Sequence, residues 1–205
     1  MSWLAVTFTT QEINSLCPNL DNEIVTPGPK IYVKRMARRK EQSHYRSGLE
    51  GVNLLFFPSK ASFISTLHHK LASHVLGLQI KVEGSPTKTE KALFVANHIS
   101  YFDIVAIGSI VPGRFIAKQE LSTWPVFGIL AKLTRTIFIS RSSSSALKQL
   151  QLIAHLLFKS ERLILFPEGT SSDGRKVLPF KPSLLEAAIQ ANAIVQPLTK
   201  RYENC

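Results

Sequence analysis

From Leu93 onward, short aliphatic and β-branched runs alternate with segments whose apolar positions recur at helical spacing. Few folds accept that alternation. Leu93 to Ala96, Arg114 to Ala117, Thr136 to Ile139, Leu163 to Phe166 and Ala193 to Leu198 read as strands. Asp103 to Ile110, Trp124 to Leu133 and Leu184 to Ala191 read as helices between them. A further helix carries Ala146, Leu150, Ile153 and Leu157 on one face, with the preceding serines as its cap. Strand and helix alternating at this pitch predict an α/β fold, a mostly parallel sheet flanked by helices. In such folds the reactive groups gather in loops that leave the strand ends.

Upstream the pattern is weaker. Phe63, Leu67, Leu71 and Val75 mark one stripe of a helix, with Ile64 and Leu78 close to the same side. The stripe fits a core helix first, and a helix lying on a membrane surface as the sharper alternative. Gly77 is placed to end that helix, and Gln79 to Val82 reads as a short strand. Residues 1–62 form an extension of undetermined order, with Pro and Gly at 27 to 29 followed by a basic run. Residues 63–205 form the main domain.

The chain has 205 residues, with 25 Lys and Arg against 14 Asp and Glu, a formal net charge of +11. Much of the excess lies between Lys30 and Arg46. Such a surface suits an anionic membrane or a polyanion. Stacking aromatics are not interleaved with the basic run, and no nucleic-acid motif accompanies it, so nucleic acid is not expected as a partner. No apolar run reaches the roughly 18 residues needed to span a bilayer. Asn53 to Phe57 stops at Pro58, and Ile104 to Val111 stops at Pro112. The N-terminus lacks a basic signal-peptide region, and a cytoplasmic setting is expected. Cys17, Cys205 and the histidines form no disulfide framework and no metal-ligand spacing, so no metal is expected.

Two loops carry candidate chemistry, each directly after a strand. The first is Asn97-His98-Ile99-Ser100-Tyr101-Phe102-Asp103. A histidine beside a carboxylate makes a base that works near neutral pH, because the carboxylate fixes the tautomer and stabilises the imidazolium. In an ideal helix a five-residue separation would turn the two side chains about 140° apart, so they meet only if the chain turns between them. Asp103 also fits a second role, serving the start of the next helix together with Ser100. The second loop is Phe166-Pro167-Glu168-Gly169-Thr170. Gly169 there permits a close approach or an unusual backbone angle, and Pro-Glu-Gly is also a plain turn. No Gly-x-Ser-x-Gly elbow occurs, which argues against a serine hydrolase.

Taken together, NHISYFD and FPEGT resemble the phospholipid and glycerol acyltransferase family, which includes the bacterial 1-acylglycerol-3-phosphate acyltransferases. Ala117-Lys118-Gln119-Glu120-Leu121 resembles the family's AKxEL segment, with Pro125 and Gly128 following. Ile137 to Arg141 resembles its IFIDR block, Phe180-Lys181 the start of its FKxG element, and Val195 to Leu198 its last short strand. The resemblance covers about residues 76–202. It implies that His98 is the general base and that Asp103 orients it. It implies that Glu168, Gly169 and Thr170 bind the acceptor, that Arg141 meets an anionic head group, and that Lys118 assists with phosphate. The implied reaction moves a fatty acyl group from acyl-CoA or acyl carrier protein, as co-substrate rather than cofactor, to the hydroxyl of a lysolipid. The leading acceptor is 1-acylglycerol-3-phosphate, giving phosphatidic acid at the cytoplasmic face of a membrane on which the protein sits peripherally. Arg135, Ser140, Ser171 and Ser183 depart from the family pattern, and many members continue further at the C-terminus. Thr170 to Lys181 and the Gln196-Pro197 pair look closer to the lyso-ornithine lipid acyltransferase branch, the alternative acceptor class. A catalytically impaired lipid-binding member is the remaining alternative.

Overall fold

A computed structural model of the chain describes residues 24–35, 58–125, 127–140, 145–173, 178–180 and 182–203. The helices and strands follow in this order. Strand β1 is Lys30–Arg35, helix α1 Pro58–Val75, strand β2 Leu78–Glu83 and strand β3 Ala92–Val95. Helix α2 (Phe102–Gly108) leads to strand β4 (Arg114–Lys118), a 3-10 turn at Gln119–Thr123, helix α3 (Phe127–Leu133) and strand β5 (Ile137–Ile139). Helix α4 (Ala146–Phe158), strand β6 (Arg162–Leu165), helix α5 (Pro182–Ala191) and strands β7 (Ile194–Pro197) and β8 (Thr199–Glu203) complete it.

The main sheet has five strands in the order β5-β4-β6-β3-β7, and every pair is parallel. The α/β expectation therefore holds, and all five strands point their C-terminal ends to one edge. The period of two divides each strand between two cores. Leu93, Val95, Leu163 and Leu165 join Ile153, Leu157, Leu185 and Ala188 of α4 and α5 on one face. Ala92, Phe94 and Ile164 join Ala106, Ile107 and Val111 on the other. Near-continuous apolar strands are what a sheet covered on both faces requires.

A second, three-stranded sheet has the order β2-β1-β8. Strand β1 runs antiparallel to β2 and parallel to β8. The start of the basic run, left undetermined by the sequence, is thus part of a sheet. Residues 30–35 are a strand whose Ile31 and Val33 are buried in the second core, while Lys30, Tyr32 and Lys34 alternate with them. Gly28 lies so close to β7 that an added Cβ would stand 1.6 Å from the Pro197 carbonyl oxygen, so no side chain fits there. Gln196 fastens the same segment, donating to the Pro27 carbonyl and accepting from the Thr87 amide, each at 2.8 Å. The remainder of the expected extension, residues 1–23 and 36–57, lies outside the described residues.

Helix α1 packs with its polar side inward. Among its described side chains, Ser65, His69 and Ser73, spaced by four, are the buried ones. The His69 ring lies against Gly108 of α2, where an added Cβ would come within 2.6 Å. Its Nδ1 lies 2.7 Å from the Ser65 carbonyl oxygen, so that nitrogen carries the proton. The apolar stripe faces out instead: Leu67, Leu71 and Val75 are 43%, 63% and 70% exposed, and Ile64 is exposed beside them. Over these residues the stripe is not a core face, and the side chain of Phe63 lies outside the described residues. Three smaller differences also emerge. Residues expected to start a helix at Trp124 sit just after a 3-10 turn, and α3 begins only at Phe127. At the start of α4, Ser145 makes no side-chain cap, its hydroxyl accepting from Gln149 Nε2 at 2.8 Å. Arg135 ends α3 with φ 57, a left-handed angle that glycine takes at no steric cost.

Candidate active site

Strand β3 delivers its chain to the C-terminal edge of the sheet, and the next residues turn sharply into α2. The Asp103 carboxylate closes that turn. Its Oδ2 accepts the amides of Ile99 at 2.7 Å and Ser100 at 3.0 Å, and His98 Nδ1 stands 2.9 Å from the same oxygen. The turn thus removes the angular separation a helix would impose, and the pair meets. Helix α2 itself begins without a side-chain cap, so the capping role expected as an alternative for Asp103 is taken up in bracing the loop before the helix. The Ser100 hydroxyl accepts from the Phe102 amide at 3.3 Å.

The second loop is tied to the first through the backbone of His98. Glu168 Oε1 accepts the His98 amide at 3.0 Å, and Oε2 accepts the Leu178 amide at 3.3 Å. The His98 carbonyl accepts the Ser172 amide at 2.8 Å. Glu168 is buried and Gly169 turns with φ 66. These contacts make Glu168 a strut between the two loops, with Thr170 exposed at the rim. Phe166 stacks on the His98 ring with centroids 4.4 Å apart and planes 22° from parallel, fixing the imidazole on its second side.

Two residues that the sequence reading did not single out complete the centre, both on β8. The Lys200 ammonium forms an ion pair with Asp103 Oδ2, and both side chains are fully buried. The Tyr202 hydroxyl donates to Asp103 Oδ1 at 2.5 Å. Burial alone would raise the Asp103 carboxyl, but the hydrogen bond from His98 and the Lys200 ammonium outweigh it and hold the group well below the usual carboxylate range. Burial pulls the Lys200 ammonium down, opposed by Asp103 and then Glu168. Burial and the Asp103 charge push the Tyr202 phenol up, so it stays a proton donor. Burial likewise pushes the Glu168 carboxyl up, against the hydrogen bonds from the His98 and Leu178 amides.

An ionised carboxylate only accepts, so Nδ1 of His98 carries the hydrogen that faces it and Nε2 is left with its lone pair. The imidazole is 16% exposed while Asp103 is sealed. A base positioned this way can take a proton from an arriving hydroxyl. Lys118 ends β4 on the same sheet edge. Arg141 follows β5 but lies outside the described residues.

The acyltransferase family model matches residues 79–201, more than half of the chain, and the match spans the two loops and Lys200. The chain belongs to the Acyltransferase family. Curated relatives of this chain include the lyso-ornithine lipid O-acyltransferase of Rhizobium meliloti strain 1021, 38% identical over 60% of this chain and 42% of its own length. The protein of the same name from Brucella abortus strain 2308 is 37% identical over 65% and 53%. The 1-acyl-sn-glycerol-3-phosphate acyltransferase of Neisseria gonorrhoeae is 35% identical over 64% and 52%. The chain thus spans about half the length of the curated relatives it matches. Among solved structures, the 1-acyl-sn-glycerophosphate acyltransferase PlsC of Thermotoga maritima matches 56% of the chain and 46% of its own at 32% identity, with a TM-score of 0.45.

Proposed function

We propose that this acyltransferase chain moves a fatty acyl group from a thioester to the free hydroxyl of a lysolipid, with His98 as general base and Asp103 as the group that orients it. The observation that carries this reading is the 2.9 Å contact between His98 Nδ1 and a sealed carboxylate, beneath an imidazole that remains reachable. As the acceptor oxygen attacks the acyl carbon, its O–H bond breaks and the proton passes to His98 Nε2. The C–O bond forms, the C–S bond breaks, and the departing thiolate takes the proton back. The histidine is never acylated, because it acts on the acceptor rather than on the acyl carbon. The thioester donor is acyl-CoA or acyl carrier protein.

The acceptor we favour is 1-acylglycerol-3-phosphate. Gonococcal and other relatives carry that activity in their names, and an arginine such as Arg141 suits a bidentate contact with a phosphate. Lyso-ornithine lipid is the second reading, supported by the Rhizobium and Brucella relatives at 38% and 37% identity. The Glu168-Gly169-Thr170 loop acts at the acceptor by shaping the dyad's rim, and Lys118 approaches the same edge.

The reaction takes place at a membrane surface. Supporting this are the outward apolar stripe of α1 and the net charge of +11. Among the described residues no helix is long and apolar enough to cross a bilayer, and the association we propose is peripheral.

The test is thiol release by the purified full chain with a long-chain acyl-CoA, and separately with acyl carrier protein, at fixed salt. Release that depends on an added lysolipid is expected. Release without an acceptor would point to hydrolysis, and no release from either donor would contradict the proposal. A tenfold preference for lyso-ornithine lipid, about 1.4 kcal/mol in transition-state binding, would reverse the choice of acceptor and leave the reaction standing.

A further inference from the structure

Strand β8 is polar along its length, yet it sends Lys200 into the interior. A lysine with no exposed surface is rare, and one is retained only where a partner holds its charge. Here that partner is the carboxylate that orients the candidate base. Asp103 gathers four hydrogen-bond donors, His98 Nδ1, the amides of Ile99 and Ser100 and the Tyr202 hydroxyl, together with the Lys200 ammonium as ion-pair partner. Four of these contacts fall on Oδ2 and one on Oδ1, and together they favour the ionised form.

We propose that Lys200 is a positioning residue for acyl transfer: pinned on Asp103 beside the Tyr202 hydroxyl, its ammonium divides the aspartate's charge, so that the carboxylate orients His98 without locking it in the protonated form. This rests on the reading of His98 and Asp103 as the catalytic dyad. The charge count explains why division matters. A lone buried carboxylate against an imidazole leaves one uncompensated negative charge, and the cheapest remedy is a proton on the histidine. A histidine already protonated cannot accept the hydroxyl proton. With Lys200 present, the carboxylate stays ionised while the ammonium balances its charge before the reaction begins. The charged and titratable groups around Lys200 are Asp103 and His98 from the first loop, Glu168 from the second, and Tyr202 two residues along β8. Glu168 also attracts the ammonium. The Phe166 ring, with its centroid 5.5 Å from Nζ, lies beside it and also stacks on His98.

The test uses Lys200→Met, which keeps the stem and removes the charge, and Lys200→Gln, which keeps a donor without charge. Each full-length variant is checked for folding by thermal melt and then assayed from pH 5 to 9.5. The expected result is that the acid limb of kcat/KM moves to higher pH by about one unit in both variants. Activity near neutral pH falls about tenfold and returns in alkaline buffer, while KM for the lysolipid and for the thioester changes little. A residue that only supported the fold would lower activity evenly across pH. An unmoved acid limb in a folded variant would therefore overturn the inference, and so would failure of both variants to fold. His98→Ala, run alongside, separates this from the dyad itself. An active His98→Ala sinks the dyad reading, whereas an inactive one with an unmoved limb in both Lys200 variants sinks only the role given to Lys200.

Discussion

Helices α1 and α4 carry similar apolar stripes, and the fold uses them in opposite ways. In α4 the stripe turns inward, where Ile153 and Leu157 have no exposed surface. In α1 the stripe turns outward, and the buried side is Ser65, His69 and Ser73. The reason lies in what each helix meets. Helix α4 packs beside α5 on a sheet face of Leu93, Val95, Leu163 and Leu165, which large aliphatic side chains fill. Helix α1 meets the short helix α2 at Gly108, where the His69 ring occupies the space a Cβ would need. Close approach favours small and polar groups that satisfy one another, as His69 does with Ser65. The lesson is that helical periodicity locates an apolar stripe and leaves open what will cover it.

The largest expected effect separates the two stripes by stability. Leu157→Ala should lower unfolding free energy by about 2–5 kcal/mol, because a sealed side chain leaves a cavity. Leu71→Ala should change it by less than about 0.5 kcal/mol. Denaturant melts of both variants, each compared with the parent chain, check the contrast. Equal losses would mean that the α1 stripe is covered within the protein.

A second experiment sharpens the same contrast at a lipid surface. Leu67→Glu with Leu71→Glu should leave the melt nearly unchanged and weaken binding to anionic vesicles by about tenfold or more, since apolar burial is replaced by like-charge repulsion with the lipid. Vesicle sedimentation at fixed salt measures it. Undiminished binding would mean that another face meets the membrane.

The smallest effect concerns the polar side of α1. Burial lowers the His69 pKa from its ordinary value of 6.5. The unfolded chain therefore binds the proton more readily than the folded one. That contribution to stability is fully present above pH 6.5 and is lost as pH falls below it towards the depressed folded value. Melts between pH 7.5 and 5 should show a shallower slope for His69→Gln than for the parent. An identical slope would show that His69 protonation is not coupled to folding.

Much of the architecture was legible because parallel strands covered on both faces are nearly all apolar, as in Ala92 to Val95 and Leu163 to Leu165. Both candidate loops were legible for a related reason: each follows such a strand directly. Strand β1 was hidden by its composition. Its inward residues are only Ile31 and Val33, set between lysines that suggest a solvated arm. Strand β8 was harder still, because its inward residues are Lys200 and Tyr202, and a lysine is expected to face water. Only the alternation of Lys200, Arg201 and Tyr202 hinted at it, with the middle residue exposed. Glu168 shows the limit of a motif. Its place beside the dyad was readable, but its bonds to the His98 and Leu178 amides depend on two loops meeting across 70 residues.

The most direct measurement of the central claim is acceptor-dependent thiol release by His98→Ala beside the parent chain, with both proteins shown to melt alike. The account predicts a loss on the order of 10²-fold or more, because the base and its orientation disappear together while Asp103 keeps its bonds to Ile99, Ser100, Lys200 and Tyr202 and preserves the turn. Near-parental turnover by a folded His98→Ala protein would contradict it.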